Sequence, residues 1–161
     1  MTTFSVGSFA ASGTNSCYGQ SFTPNVPGPN GVGSPGAATS VSLASVSIGY
    51  PSSSTTGRAT TAYIYTSIPS SSDLSTGTGS LATSDVATTD GSGMFGSSTY
   101  SRTFTFTGVP LDPTVTYFVL FPSTQSVRLK TGNPYSGGGL VNTALAVTNN
   151  DAQFDVQMSY T

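Results

Sequence analysis

The side chains able to do chemistry in this chain are few, and nearly all of them are aspartate, arginine or tyrosine. The 161 residues include six acidic ones, all aspartate, and no glutamate, histidine or tryptophan. The four basic residues are Arg58, Arg102, Arg128 and Lys130. General acid–base catalysis, nucleophile activation and transition-metal binding draw mainly on His, Cys and carboxylates with shifted pKa values. The composition therefore predicts a protein that presents a surface, not an enzyme.

The aspartates suggest two kinds of site, a calcium loop and a pair of catalytic carboxylates. Residues 88–93, around Asp90, match part of a calcium loop, but a full loop needs more alternating oxygen ligands and a closing Glu. A plain turn is the preferred interpretation, and no metal or cofactor is expected. Glycoside hydrolysis needs two carboxylates that face each other across a cleft. Asp151 and Asp155 show no such pairing and are expected to lie in solvent.

The candidate nucleophiles lead to the same conclusion. Serine is abundant, but a catalytic triad cannot be assembled without His. Cys17 has no second cysteine to pair with, so a small buried hydrophobic residue is its preferred interpretation. Lys130 could form an isopeptide crosslink to Asn only beside a buried acidic partner, and a solvated lysine is preferred. An enzyme such as a polysaccharide depolymerase is the least favoured function class.

Tyrosines are the remaining candidates for a binding site. An exposed aromatic ring can stack on a sugar ring, and a neighbouring Asn or Asp can bond the sugar hydroxyls. Tyr135 lies in a Gly-rich segment and is expected to be exposed, with Asn133 two residues before it. These two residues are the candidate glycan contacts. The absence of Trp, which offers the largest flat platform, weakens the sugar-binding interpretation.

Charge excludes two classes of partner. Only 6% of the residues are charged, the net charge is −2 and the isoelectric point is about 4.4. Nucleic acid and anionic membranes attract clusters of Lys and Arg, which this chain lacks, so neither is an expected partner. The N-terminal residues do not have the pattern of a secretory signal, and no apolar run has the length of a bilayer span.

The apolar residues sit in short alternating runs, which is typical of half-buried strands and argues against disorder. They make up 35% of the chain, and its length predicts a single domain over residues 1–161. Residues 24–37 are rich in Pro and Gly and are expected to form a loop. No window has helical spacing over a useful length, so almost no helix is expected.

Four runs give specific strand predictions. Between residues 40 and 50 the period of two slips at Ala44-Ser45, where a β-bulge would return both halves to the core. Residues 152–160 place Phe154 and its alternate neighbours inward and Gln153 outward. Residues 17–23 form a strand with Tyr18 and Phe22 on one face. Residues 126–130 read as an edge strand whose exposed face carries charges, and residues 140–147 as a further strand.

The central strands are apolar on both faces. Tyr63 and Tyr65 lie opposite Ala62 and Ile64, and residues 116–121 are apolar throughout. One core does not need so much apolar surface, and a chain with so little charge would lose solubility if that surface were bare. We therefore expect Tyr63 and Tyr65 to contact another subunit of a homo-oligomer. By analogy with capsids and fibres, the expected oligomer is a trimer.

The count of eight to ten strands predicts an all-β fold, a two-sheet antiparallel jelly-roll β-sandwich. Six segments then support a resemblance: VSL at 41–43, AYIY at 62–65, GSLATS at 79–84, LDP at 111–113 leading to TYFVL, NPYSGG at 133–138 and DAQF at 151–154. In this order they resemble the choice-of-anchor type of β-sandwich module, over roughly residues 38–160. Such modules occur in exported bacterial proteins and in phage structural proteins, and are similar in shape to carbohydrate-binding jelly rolls.

The resemblance and the composition together imply a function. The expectation is a non-enzymatic phage structural protein at the virion surface, either a capsid decoration or cement subunit or a tail-fibre domain. Its partners would be its own copies and other virion proteins. The alternative is a carbohydrate-binding module of an extracellular bacterial protein, with glycans as partners.

Overall fold

The computed structural model describes residues 2–6, 11–51, 57–93 and 96–161. These residues form eleven β-strands and one short helix. The elements in chain order are β1 (Thr2–Ser5), β2 (Gly13–Phe22), β3 (Val41–Tyr50), β4 (Tyr63–Tyr65), α1 (Ser71–Thr76), β5 (Ala82–Thr83), β6 (Gly91–Gly93), β7 (Gly96–Leu111), β8 (Tyr117–Lys130), β9 (Leu140–Val141), β10 (Asp151–Ala152) and β11 (Phe154–Tyr160). The prediction of a strand-rich fold with very little helix is confirmed.

The strands form two antiparallel sheets, an arrangement compatible with a β-sandwich. The first sheet has the order β1-β11-β3-β7-β6, and the second has the order β5-β4-β8-β2-β9, with β10 also paired to β8. Residues 24–37 contain turns and one isolated bridge, from Val32 to Ser5, and so form the loop that their Pro and Gly content predicted.

One hydrophobic core joins the two sheets. It takes Val46, Ile48 and Phe154 from the first sheet and Phe22 and Val119 from the second. The alternation is confirmed for Phe154, Val156 and Met158 of the last strand, which are buried, while Tyr160 at its end is half-buried. Full burial of an aliphatic or aromatic side chain contributes roughly 1.5–3 kcal/mol to folding, so this core supplies the main driving force.

Two β-bulges set which residues reach the core. In the β3–β7 pairing the register shifts between Leu43 and Ser45, which confirms the bulge predicted from the sequence. A second shift, in the β2–β8 pairing, lies between Cys17 and Gly19. It returns Cys17 to the same core as Phe22 and leaves Tyr18 on the outer side of the sheet. The predicted common face of Tyr18 and Phe22 is therefore wrong.

Three further sequence predictions are corrected. Residues 126–130 are not an edge strand, because they belong to β8 and pair with both β2 and β10. Of residues 140–147 only β9 is a strand, because the Asn142 carboxamide accepts hydrogen bonds from Ala144 N and Ala146 N and closes a turn. Gln153 is buried, since its backbone lies between β10 and β11 and bonds to both sheets, at Gly49 and Arg128.

The helix α1 lies in a stretch that the sequence analysis treated as irregular. The Ser70 hydroxyl caps it by accepting a bond from Asp73 N, and Gly77 ends it with a φ of 75°. Leu74 on its inner side is buried against the outer face of the second sheet. Among the described residues no helix has the length and apolar character needed to cross a membrane.

Candidate functional site

A shallow cleft of about 420 Å³ opens on the outer face of the second sheet, and we call it the β2–β8 cleft. Its base is formed where β2 ends and β8 begins, because Ser21 pairs with Phe118 across the two strands. Two irregular segments form its walls, residues 133–138 and residues 147–149. None of the side chains that line it is charged.

The 133–138 wall can lie close to β2 because its glycines carry no side chain. A Cβ at Gly138 would collide with the Ser21 carbonyl group, and one at Gly139 would collide with Thr148 O. The Ser21 hydroxyl accepts a bond from Gly139 N at 2.8 Å, and the Thr23 hydroxyl donates to Gly137 O at 2.8 Å. The wall is therefore held to the sheet by side chain–backbone bonds.

Tyr135 supports this wall from below and does not line the cleft. It is fully buried, its ring packs against Phe154 with centroids 5.4 Å apart, and its hydroxyl both accepts from Thr23 N and donates to Thr23 O. Burial raises the pKa of Tyr135 to about 12. The prediction of an exposed Tyr135 is wrong: the Gly-rich segment folds over the ring because the glycines let the backbone approach it.

Asn133, the other predicted glycan contact, does line the cleft. It is exposed and has a φ of 55°, a left-handed conformation that Asn tolerates better than most residues. Two residues not predicted as contacts join it there, Phe118, which is half-buried, and Asn149, which is exposed. The sequence did show that residues 116–121 are apolar on both faces, which includes Phe118. Only the pairing of Phe118 with Ser21 shows that its outer face reaches the cleft.

Asp151 lies under the same region and is buried, whereas the sequence predicted a solvated carboxylate. Its two oxygens accept bonds from Gln20 Nε2 at 2.8 Å and Tyr135 N at 2.9 Å. Burial raises the pKa of Asp151, and these two hydrogen bonds oppose that rise. Gln20 in turn accepts from Ala152 N at 2.8 Å. The carboxylate joins β2, β10 and the Tyr135 segment, so its role is structural.

Asp90, the centre of the calcium-loop match, is bound by two arginines. One carboxylate oxygen pairs with Arg58 Nη1, and the other accepts from Arg102 Nε at 2.9 Å. Arg102 also donates to Ala59 O at 2.8 Å. The side chains of Arg58, Asp90 and Arg102 expose only 6%, 8% and 2% of their surface. We call these three residues the arginine–aspartate cluster; both oxygens of Asp90 are bonded to guanidinium groups.

Two other reactive groups are also buried. The Arg58 guanidinium lies over the Tyr50 ring at 4.3 Å from its centroid, and burial raises the pKa of the Tyr50 hydroxyl. Cys17 is fully buried, as predicted, and burial raises the pKa of its thiol to about 12. A neutral thiol without access to solvent is a poor nucleophile and a poor metal ligand.

The Tyr63–Tyr65 face is covered in part within the chain. Tyr65 is buried against Leu74 of α1, its hydroxyl donates to Thr78 O at 3.1 Å, and Gly77 lies directly against the Tyr63 ring. The unpredicted helix therefore covers Tyr65, while Tyr63 is half-buried. A subunit contact at these tyrosines, and the oligomer itself, stay predictions.

Asp151 and the arginine–aspartate cluster are thus buried charged groups that bond to the scaffold, whereas the cleft is open and uncharged. No group of three or more His, Cys, Asp or Glu in the described ranges is placed to hold a metal ion. The cleft offers amides, hydroxyls and one aromatic ring, which can bind a neutral polar ligand but do not activate one. No protein-family model, curated protein sequence or solved structure matches the chain.

Proposed function

We propose that this chain is a non-enzymatic structural protein of a phage, exposed on the virion surface as a capsid decoration or cement subunit or as a tail-fibre domain. The observation that carries the proposal is the length of the outermost strands in a chain with so few charges. β1, β6, β5 and β9 contain only 4, 3, 2 and 2 residues.

Short edges matter for a protein that is packed in many copies. Unpaired edge strands recruit other chains, and proteins usually block them with charges, proline, bulges or short length. Only 6% of this chain is charged, so charge offers little protection here, and the outermost strands are short. A surface of Ser, Thr and Gly with short outermost strands suits copies that stand side by side on a particle.

The buried charges support the non-enzymatic part of the proposal. Asp90 and Asp151, the two acids in low-exposure surroundings, are each held by two donors that belong to the scaffold. A general acid or base must exchange its proton with substrate. A carboxylate with both oxygens already bonded to the scaffold is poorly placed for that role.

The finer fold we propose is a jelly roll of the choice-of-anchor type. Its support is the path of the chain, which passes from one sheet to the other between β1 and β2, β2 and β3, β3 and β4, β5 and β6, β7 and β8, and β10 and β11. Repeated crossing between two facing sheets is typical of jelly rolls. The homo-oligomer, a trimer by analogy with three-fold capsid positions and fibres, belongs to the same proposal.

The test is the protein content of purified virions. Mass spectrometry of gradient-purified phage from the source that encodes the chain is expected to detect its peptides in stoichiometric amounts, and sedimentation of the isolated chain is expected to give a homo-oligomer. A monomer at micromolar concentration that is absent from virions would refute the structural role.

A second function, a carbohydrate-binding module of an extracellular bacterial protein, is favoured by one observation, the uncharged β2–β8 cleft. A monomer that binds immobilised glycans and is absent from virions would support it in place of the first.

A further inference from the structure

We propose that the β2–β8 cleft binds an uncharged saccharide of one or two rings, with Phe118 as the platform and Asn133 and Asn149 as the hydrogen-bonding groups. The choice of a saccharide as ligand rests on the second function above, carbohydrate binding. The site itself is compatible with either location of the protein, on a virion or outside a bacterial cell, because a glycan-binding site can occur in both.

The absence of charge in the lining selects the ligand class. A phosphate, a uronate or an amine entering the cleft would lose water without meeting an opposite charge, which is unfavourable. Asp151, the nearest buried carboxylate in the supporting layer, has both oxygens bonded, to Gln20 and Tyr135. A neutral ligand with many hydroxyl groups meets no such penalty.

Phe118 supplies an apolar surface in a defined position. It lies on β8, where it pairs with Ser21 of β2 on one side and with Tyr65 of β4 on the other. Its ring is half-buried against the cluster that contains Leu74 and still contributes to the cleft. A ring held by a central strand loses little conformational freedom when a pyranose packs on it.

The two exposed amides lie on the two walls of the cleft. Asn133 lies on the 133–138 wall and Asn149 on the 147–149 wall. A carboxamide offers both a donor and an acceptor, which matches a hydroxyl group that does both. The cleft volume of about 420 Å³ lies within the usual range for a small-molecule site and is sufficient for a short saccharide.

The experiment uses the full 161-residue chain on an array of neutral and acidic glycans, followed by titration of the best neutral disaccharide by saturation-transfer NMR. Three variants remove the proposed contacts: Phe118→Leu, Asn149→Ala and Asn133→Gly, the last chosen because Gly keeps the positive φ without strain. Asn15→Ala is the matched control, since Asn15 is an exposed amide at the opposite end of β2.

We expect neutral glycans to bind and acidic ones to bind more weakly. Loss of one hydrogen bond or of the ring should weaken binding about tenfold, with Asn15→Ala unchanged. Thermal melting of each variant shows whether it is folded, and a variant that melts early is replaced by Ser136→Ala, which changes another exposed lining residue.

Two results would overturn the proposal: no glycan binds at millimolar concentration, or binding is equal in wild type and in the folded cleft variants. A chain found in virions that binds no glycan would refute this inference alone and leave the structural role intact. A chain that binds neutral glycans through these residues but is absent from virions would support this inference and refute the structural role.

Discussion

The arginine–aspartate cluster and the β2–β8 cleft use polar side chains in opposite ways. The cluster contains two of the four basic residues and is almost completely shielded from water. The cleft is open and holds no charge. The charges of the cluster therefore stabilise the interior, while amides and hydroxyls line the cleft. Other charged side chains, such as Asp73, Asp85 and Asp112, are exposed, as charges are in most soluble proteins. The residues to test for ligand binding are the uncharged ones of the cleft.

The largest expected difference between the two regions is in stability. Arg102→Ala removes one of the two ion pairs of Asp90 and the hydrogen bond to Ala59 O. Loss of one member of a buried ion pair lowers the free energy of unfolding by about 3–5 kcal/mol. Asn149→Ala, on the cleft wall, should change stability by less than about 0.5 kcal/mol. Urea denaturation followed by fluorescence measures both. Equal losses would contradict the contrast between the two regions.

The layer beneath the cleft should give an intermediate loss. Tyr135→Phe keeps the ring against Phe154 but leaves Thr23 N and Thr23 O without their partner, at a cost of about 1–3 kcal/mol. Tyr117→Phe, which loses a single bond from Asp112 N, is the comparison. A Tyr135→Phe variant as stable as wild type would show that the hydroxyl is not needed to hold the wall.

Asp151 should give a smaller effect that depends on pH. Its pKa is raised in the folded state above the ordinary value of 3.8, so the folded protein binds the proton more tightly than the unfolded chain. Lowering the pH from 7 through the raised pKa and down to 3.8 should therefore stabilise wild type relative to Asp151→Asn. Urea midpoints of both proteins between pH 7 and pH 4 measure the difference. A difference that stays constant would show that the carboxylate keeps an ordinary pKa.

The last prediction concerns the reactivity of the Cys17 thiol, which needs no substitution and tests whether this buried group is shielded from solvent. With a thiol pKa of about 12 and no exposure, it should react with an aromatic disulfide reagent only as fast as the protein unfolds. In urea the same thiol should react at the rate of a free cysteine. Rapid labelling of the native protein would show that the core opens at β2.

The strands were largely predictable from the sequence and the cleft was not. Alternation located β3, β7 and β11, and a slip of one residue located the bulge at Leu43–Ser45. The bulge at Cys17–Gly19 was not located, because the face of this strand was assigned from Tyr18 and Phe22, which lie on different sides of the sheet. Patterns of period two describe one strand at a time, so they do not report which residues two strands bring together.

The errors at Tyr135 and Tyr65 have a common origin. Both rings were expected to be accessible, and both are covered by segments without apolar periodicity, the Gly-rich wall and the helix α1. The helix did have a local signal, Ser70 three residues before Asp73 and Gly77 after the last turn, which matches the usual caps. The fold of the wall depends on close backbone contacts with Ser21 and Thr148, which a single sequence does not reveal.

The close fit of Gly138 and Gly139 against the sheet separates recognition from folding in this protein. Neither position accepts a side chain, so variation there would displace the wall, whereas Ser136 and Asn149 are exposed and can be exchanged at little cost in stability. Asn133 is exposed too, but its positive φ restricts it to residues such as Asn and Gly. If the proposed site binds saccharides, its ligand preference could therefore be changed at two rim positions on an unaltered base. A library randomised at Ser136 and Asn149 is expected to keep one melting temperature.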